Sequence, residues 1–269
     1  MKRPALYLLA ALAVVLVALP LLLMLMNSLK SPAEAQQGFL ALPRDPGFAA
    51  WREAWAKLRG SFGISLMLAL PAVLASALLA AVNGFVLCKY RFRGERWVGL
   101  LLVLAFFLPI KVYLLPLAIT MARLGLDRSL GLLIAIHVIY SLPLALFFRN
   151  HFLAFPDELL QAARLDGAGF WRLLWRVVLP LSRPIFVVVL ILQFTTIWNE
   201  YLFGLVFGPE DARPITAALA QLGAQTETGA RAYPLEMAAA LLAAAPTLLV
   251  YLLAGRHFTR GLVAGAVKG

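Results

Sequence analysis

The chain has 269 residues, of which 62% are apolar and only 14% are charged, and its mean hydropathy is +0.87. A soluble domain is about 45–50% apolar and about 25% charged, so a soluble globule could not cover this much apolar surface. The composition excludes disordered, collagen-like and cytosolic classes and predicts an integral membrane protein. The net charge of +11 fits basic loops at an anionic membrane surface better than nucleic-acid binding.

The sequence offers few residues for metal binding or catalysis. Its single cysteine, Cys88, excludes an intrachain disulfide and any cysteine-based metal site. The three histidines, His137, His151 and His257, lie far apart in the chain. We therefore expect no metal site and no catalytic residue in this chain.

Six apolar windows are long enough to cross a bilayer, which takes about 20 residues. They run approximately over residues 6–29, 64–88, 97–121, 129–148, 185–207 and 235–255. Each should be a helix, because lipid offers no hydrogen-bond partner to an open backbone. The sequence predicts an all-α integral membrane fold with six transmembrane helices in one domain, 1–269. The first window is longer than a signal-peptide core, so we expect it to remain as an anchor.

The distribution of basic residues predicts the orientation. With the N-terminus inside, the inner connections carry fourteen Lys and Arg, and the outer connections carry nine. Four acidic residues lie inside and seven outside, so most of the net positive charge is on the inner side. Basic loops stay in the cytoplasm, which places both termini there.

The connection between spans four and five, residues 149–184, carries the clearest local pattern. Pro156, Asp157 and Glu158 predict a helix start with acids at the positive end of its dipole. Gly167 breaks this helix, and a second helix is expected from about Gly169 to Val178, with aromatic and basic residues. Such a helix-turn-helix could lie on the membrane surface or bind a cytoplasmic partner, and the residues alone favour neither interpretation.

Two stretches of this loop resemble the EAA loop of permease subunits in binding-protein-dependent ABC importers. The stretches are Gln161-Ala162-Ala163-Arg164-Leu165-Asp166-Gly167-Ala168 and Leu179-Pro180-Leu181-Ser182-Arg183-Pro184. The tail from Arg260 to Gly269 is similar to that of MalG-type permeases of carbohydrate importers. The segments Trp198–Phe203 and Lys89–Gly94 also fit, so the resemblance covers essentially the whole chain.

The resemblance implies that the loop is a coupling helix seated in a cleft of a cytoplasmic ATPase. The residues implied in this contact are Gln161, Ala162, Ala163, Asp166, Gly167, Ala168, Trp171, Arg172, Trp175, Arg176, Leu179 and Pro180. Gln161 stands where the family usually has the Glu of the motif, and Gln keeps the length and the hydrogen bonding but loses the charge-assisted bond. We expect either a fit to a different ATPase surface or a weaker contact at this position.

The resemblance also implies a set of partners and a location. The partners are a second similar permease subunit, two ATPase subunits, an external sugar-binding protein and a carbohydrate, and nucleic acid is not among them. The chain would lie in the lipid bilayer of a bacterial or archaeal cytoplasmic membrane. No cofactor is expected in this chain, since ATP and magnesium would bind to the ATPase.

Substrate contacts are expected from aromatic and polar residues within the spans. The candidates are Tyr113, Tyr140, Gln193, Thr196, Trp198, Asn199 and Glu200. Lys111, mid-span beside Pro109, is either functional or a residue that reaches the interface. The outer loop 208–234 is either a flexible contact to the binding protein or an ordinary connector.

Two other functions remain open from the residues. A self-sufficient secondary transporter or channel would need its own coupling residues, and no paired carboxylates or His/Asp relay occur within the spans. A membrane-embedded enzyme would need a polar cluster, and His137 has no acidic neighbour in sequence. The chain also lacks the Gly-x-x-x-x-Gly-Lys-Ser/Thr motif, so it is not expected to hydrolyse ATP.

Overall fold

A computed structural model describes residues 3–126, 128–226 and 233–266, with side chains over 4–109, 111–126, 128–224 and 233–255. Within these residues the chain is helical and contains no strand. The helices are α1 (Arg3–Ser28), α2 (Pro32–Ala35), α3 (Ala49–Lys89), α4 (Glu95–Phe107), α5 (Leu114–Arg123), α6 (Leu130–Tyr140), α7 (Ala145–Phe152), α8 (Asp157–Leu165), α9 (Phe170–Leu173), α10 (Leu179–Leu181), α11 (Arg183–Trp198), α12 (Leu202–Phe207), α13 (Ile215–Thr226) and α14 (Tyr233–Ala266).

Among the described helices, four are long and apolar enough to cross a membrane: Pro4–Ser28, Ala49–Lys89, Leu130–Phe152 and Tyr233–Gly255. Two bent helix pairs raise the count to six if each pair is one span. The all-α membrane fold is thus confirmed, and the prediction of six spans corresponds to the upper end of this range.

The predicted third span is broken in the middle. Helix α4 ends at Phe107, and a 3₁₀ turn (Ile110–Tyr113) leads into α5, with an 89° bend between the two halves. The break follows from Pro109, which disfavours the helical conformation at the residue before it. Leu108 accordingly adopts an extended backbone with ψ of 124°.

The predicted fifth span is also divided. Helix α11 ends at Trp198, and the separate helix α12 begins at Leu202, so the expected continuous span over 185–207 is wrong. Polar side chains stabilise the break. Asn199 donates its amide to the Thr195 carbonyl at 2.9 Å, and the Glu200 carboxylate accepts backbone N–H bonds at the start of α12.

Helices extend into both predicted outer loops. Helix α3 begins at Ala49, well before the expected span start at residue 64, and α13 occupies part of the loop 208–234. The first added turns of α3, residues 49–59, are rich in the good helix formers Ala, Arg, Glu, Lys and Leu, with a Glu53–Lys57 pair at 2.9 Å one turn apart. Residues 227–232 of the second loop lie outside the described residues.

Contacts divide the chain into two units, residues 1–63 with 215–246 and residues 64–214 with 247–269. In the first unit, buried Lys30 donates from Nζ to Asn27 Oδ1 at 2.9 Å and to the Gly38 and Phe39 carbonyls at 3.0 and 3.2 Å. Three acceptors match the three ammonium protons, which makes burial of this charge tolerable.

Hydrogen bonds of the Glu34 side chain also stabilise this segment of the first unit. The carboxylate accepts backbone N–H bonds from Ser31, Arg44 and Asp45. These bonds favour the ionised form and lower the pKa of Glu34 from 4.5 to about 2. The carboxylate therefore stabilises the folded segment above about pH 4.5, and the contribution is lost as the pH falls toward 2.

Candidate functional site

The loop over residues 149–184, called the helix-pair loop below, contains the predicted helix-turn-helix. Helix α8 begins at Asp157, directly after Pro156, and carries Asp157 and Glu158 in its first turn. Gly167 has a φ of 77°, the left-handed conformation that the sequence predicted for this turn. Its backbone N–H donates to the Arg164 carbonyl at 3.0 Å, which ends α8.

The second helix of the loop differs from the prediction. A single helix to Val178 was expected, but α9 passes into a π-helical turn (Leu174–Val178) and then into α10. π-helical turns are rare in proteins, and those that occur are frequently at functional sites. The helix thus continues beyond the expected end at Val178, because Pro180 lies at the start of α10, where its fixed φ suits a first helical turn.

The helix pair buries one side and exposes another. Leu160, Leu173, Leu174 and Val178 are at most 3% exposed. Trp171 and Trp175, by contrast, are 62% and 54% exposed, and Arg172 and Arg176 are exposed beside them. We call these four residues the tryptophan face. An exposed aromatic and basic surface of this kind is typical of a contact for another protein.

The other predicted contact residues mostly lie at the surface too. Gln161, Ala162, Asp166, Gly167 and Pro180 are exposed. Ala163, Ala168 and Leu179 are partly buried, and Ala163 and Leu179 pack against the core beneath the loop.

An aromatic cluster supports the buried side of the loop. The ring of Phe85, near the end of α3, lies 5.8 Å from Phe152, 5.7 Å from Phe170 and 5.8 Å from Tyr90. Phe155 joins the cluster at 5.5 Å from Phe152. These five residues form the support cluster, and aromatic pairs at such separations are favourable. The helix-pair loop is therefore packed onto the end of α3.

Two charged contacts reinforce this junction. Lys89, the last residue of α3, donates from Nζ to Asp157 Oδ1 at 2.7 Å and to the Phe155 carbonyl at 3.3 Å. The Arg164 guanidinium lies 5.5 Å from the centre of the Tyr90 ring, within the range of a cation–π interaction. The sequence singled out Lys89 and Tyr90 only as part of a family-like segment, and gave no sign that they contact the loop.

A second feature is a cavity of about 690 Å³ between α4, the 3₁₀ turn before α5, α6 with the turn that follows it, and α11, with polar and aromatic residues on its wall. It brings together four of the predicted substrate residues: Tyr113, Tyr140, Gln193 and Thr196. The bend at Pro109 creates this grouping, because it places Tyr113 at the end of the 3₁₀ turn before α5 rather than inside a continuous span. No lining residue carries a full charge at neutral pH.

The remaining substrate candidates have other contacts. Trp198 is 2% exposed and stacks on Phe194 at 5.5 Å. The Glu200 carboxylate accepts backbone N–H bonds from Leu202 at 3.1 Å and Phe203 at 2.6 Å. Neither they nor Asn199 line the cavity.

Helix α12 is held at both ends, which the sequence did not predict. Glu200 lies at its N-terminus, and Arg128 donates to the Val206 carbonyl at 2.8 Å near its C-terminus. Arg128 also pairs with Glu210 at 2.8 Å. A negative group at the start and a positive group at the end both oppose the helix dipole.

Two polar residues in the spans stay outside this cavity. Lys111 is exposed and lies in the 3₁₀ turn between α4 and α5. His137 is 4% exposed, and within the described residues its Nε2 has no hydrogen-bond partner. Across those residues no group of three His, Cys, Asp or Glu side chains could hold a metal.

Apolar helices of spanning length, together with a helix pair between them, define a multi-pass membrane protein. Residues 2–263 match the family described as the binding-protein-dependent transport system inner membrane component. The chain belongs to this family, which confirms the resemblance drawn from the EAA-like loop. The family is the membrane component of importers and is not itself catalytic.

Curated relatives carry permease names. The chain is 42% identical over 190 residues to a probable ABC transporter permease protein of Pyrococcus horikoshii, covering 69% of this chain and 68% of that protein. It is 31% identical to the xylose/arabinose import permease protein XacI of Haloferax volcanii, over 97% of this chain and 92% of that protein. It is 30% identical to the melibiose/raffinose/stachyose import permease protein MelC of Bacillus subtilis, over 97% of this chain and 95% of that protein.

Solved structures share the fold. A bacterial ABC transporter involved in the import of the acidic polysaccharide alginate matches 94% of this chain and 94% of that chain, with a TM-score of 0.78 at 20% identity. The methionine ABC transporter MetNI in an inward-facing conformation matches 77% of this chain and 94% of that chain, with a TM-score of 0.55 at 18% identity. At these identities the likeness shows the fold alone.

Proposed function

We propose that this chain is the transmembrane permease subunit of an ATP-driven carbohydrate importer and forms half of the translocation pathway. The observation that carries the proposal is the tryptophan face, which projects from a loop whose other side is packed into the support cluster. A surface held this firmly can receive the motion of a partner and pass it to α3. Large aromatic anchors next to arginines are typical of residues that dominate a binding interface.

The partner at this face is a cytoplasmic ATPase. This chain has no P-loop motif, so the ATP and magnesium are bound by that separate subunit. The full assembly contains two ATPase subunits, a second permease subunit and an external sugar-binding protein. The helix-pair loop and both termini face the cytoplasm, as the excess of basic residues on those connections favours.

Carbohydrate as the substrate class is supported by the relatives. The names of XacI and MelC refer to xylose/arabinose and to melibiose, raffinose and stachyose, and the name of a further relative, NgcG of Streptomyces coelicolor, refers to diacetylchitobiose. The aromatic and uncharged wall of the cavity suits such substrates.

The experiment measures ATPase binding and uptake for the double variant Trp171→Ala/Trp175→Ala in membranes that contain the whole transporter. We expect the ATPase affinity to fall at least about thirtyfold, because loss of an interface anchor costs about 2 kcal/mol or more. Thermal stability should stay close to wild type, since both side chains are exposed.

The matched control is Trp97→Ala, because Trp97 is 70% exposed but lies in α4, outside the loop. This control should bind the ATPase normally. Uptake that persists without ATP and stops when an ion gradient is collapsed would instead support a secondary transporter. Normal ATPase binding by the double variant would contradict the proposed role of the tryptophan face.

A further inference from the structure

The cavity in the second unit contains a short stack of aromatic rings. Tyr113 and Tyr140 stack at 5.1 Å with an angle of 13° between their planes, and Tyr140 stacks on Phe203 at 5.6 Å and 23°. Tyr140 therefore stacks on two rings, whereas among the described residues Tyr113 stacks only on Tyr140 and also lines the cavity. The stack orients the Tyr113 ring at the cavity wall, where it offers an aromatic surface to a ligand.

Two hydrogen-bonding side chains line the same cavity. Gln193 is 7% exposed and donates from Nε2 to Ser76 Oγ at 3.3 Å. This bond orients the amide, and across the described residues the Oε1 atom accepts no hydrogen bond. Thr196 donates its hydroxyl to the Leu192 carbonyl at 2.8 Å, which leaves its oxygen as an acceptor. Both groups thus offer acceptors to hydroxyl donors in the cavity.

The absence of charged residues from the cavity wall favours uncharged ligands over anionic ones. The fifteen lining residues include no Asp, Glu, Lys or Arg. An anionic ligand would give up part of its hydration against this wall and find no cation among the lining residues in exchange, which is unfavourable. An uncharged sugar needs only hydrogen-bond partners for its hydroxyls and an apolar surface for the face of its ring. A volume of about 690 Å³ falls within the range of small-molecule pockets.

We infer that this cavity binds one uncharged sugar ring, stacked on Tyr113 and hydrogen-bonded to Gln193 and Thr196, and that it discriminates against anionic sugars. The inference rests on the proposed function and adds to it a binding position and a substrate class. The external binding protein selects the sugar first, and this cavity acts as a second selection step inside the membrane.

The test uses the complete transporter in proteoliposomes, with xylose, raffinose, diacetylchitobiose and galacturonate as labelled probes. We expect wild-type uptake of at least one of the three uncharged sugars and none of galacturonate. Tyr113→Ala should raise the KM for that sugar about tenfold, the effect of losing one stacked aromatic contact and its buried area. Tyr113→Trp should raise the KM less than Tyr113→Ala does, because it keeps an aromatic face.

The matched control is Tyr7→Ala, since Tyr7 is an exposed tyrosine of α1 outside the cavity and its loss should leave KM unchanged. An unchanged KM in Tyr113→Ala overturns the inference and assigns the cavity to lipid or a neighbouring subunit. Wild-type uptake of galacturonate overturns the selectivity. If no probe enters even with the wild-type transporter and ATP, the proposed carbohydrate import fails instead, so the two failures are distinguishable.

Discussion

The helix-pair loop and the cavity use aromatic residues in different ways. In the loop, the support cluster is buried or partly buried and packs the loop onto α3, and the exposed tryptophans lie next to arginines. In the cavity, Tyr140 and Phe203 support a ring that remains accessible, and charge is absent from the wall. Under the proposed function, charge marks the surface for a protein partner, whereas neutrality marks the surface for a sugar.

The largest effect is expected at the support cluster. Phe85→Ala removes a side chain that is fully buried among Phe152, Phe170 and Tyr90. Truncation of a buried phenylalanine costs about 3–5 kcal/mol, so the thermal unfolding temperature of the purified chain should fall markedly. ATPase affinity should fall with it, because α8 and α9 lose their support.

Binding of the uncharged sugar that the wild-type transporter takes up should survive in Phe85→Ala wherever the chain still folds, which separates the two regions experimentally. Phe107→Ala is the control, since Phe107 is 77% exposed, and it should unfold close to the wild-type temperature. A stability loss of equal size in both variants would contradict the structural role of the cluster.

A smaller effect is expected where α3 and α7 cross. A Cβ added at Gly84 would lie 2.6 Å from Phe148 Cβ and 2.7 Å from the Ala145 carbonyl oxygen. Neither neighbour is the end of a flexible side chain, so Gly84→Ala must move the helices apart, at about 1–3 kcal/mol. Thermal unfolding measures this cost, and ATP-driven uptake shows whether the loop still transmits motion.

Gly99→Ala is the matched control because no atom lies within 4 Å of its added Cβ. It lies within α4, where alanine is the better helix former, so it should be neutral or slightly stabilising. Destabilisation by Gly99→Ala as large as that by Gly84→Ala would show that the close helix contact does not matter.

The smallest effect is expected from the ion pair at the junction. Asp157→Asn removes the charge that Lys89 contacts at 2.7 Å, but Asp157 is 71% exposed and Lys89 keeps its bond to the Phe155 carbonyl. A pair this exposed contributes about 0.2–1 kcal/mol. The stability difference from wild type should shrink further at high salt.

Glu158→Gln serves as the neighbouring control, since Glu158 also lies in the first turn of α8 but forms no ion pair within the described residues. Its effect should be smaller than that of Asp157→Asn. Equal effects in the two variants would assign the stabilisation to the helix dipole rather than to Lys89.

Local features of this protein were readable from the sequence. The turn at Gly167 and the start of α8 at Asp157 were predicted because glycine and the first-turn acids act within a few residues. The break at Pro109 was missed, although proline carries the signal, because the apolar run continues across it. The π-helical turn was also missed, because nothing in the local pattern distinguishes it from an α-helix.

The sequence by itself determined the membrane class, the family and the exposed helix pair, since composition, apolar windows and short motifs are properties of local stretches. Only the tertiary structure decided that Phe85 and Lys89 hold the loop and that Tyr113 and Tyr140 form one stack. The Gln193–Ser76 bond joins residues 117 positions apart, and no local pattern reports such a contact. Side chains from distant helices meet only after the helices bend and pack, so the chemistry of the cavity is a property of the fold.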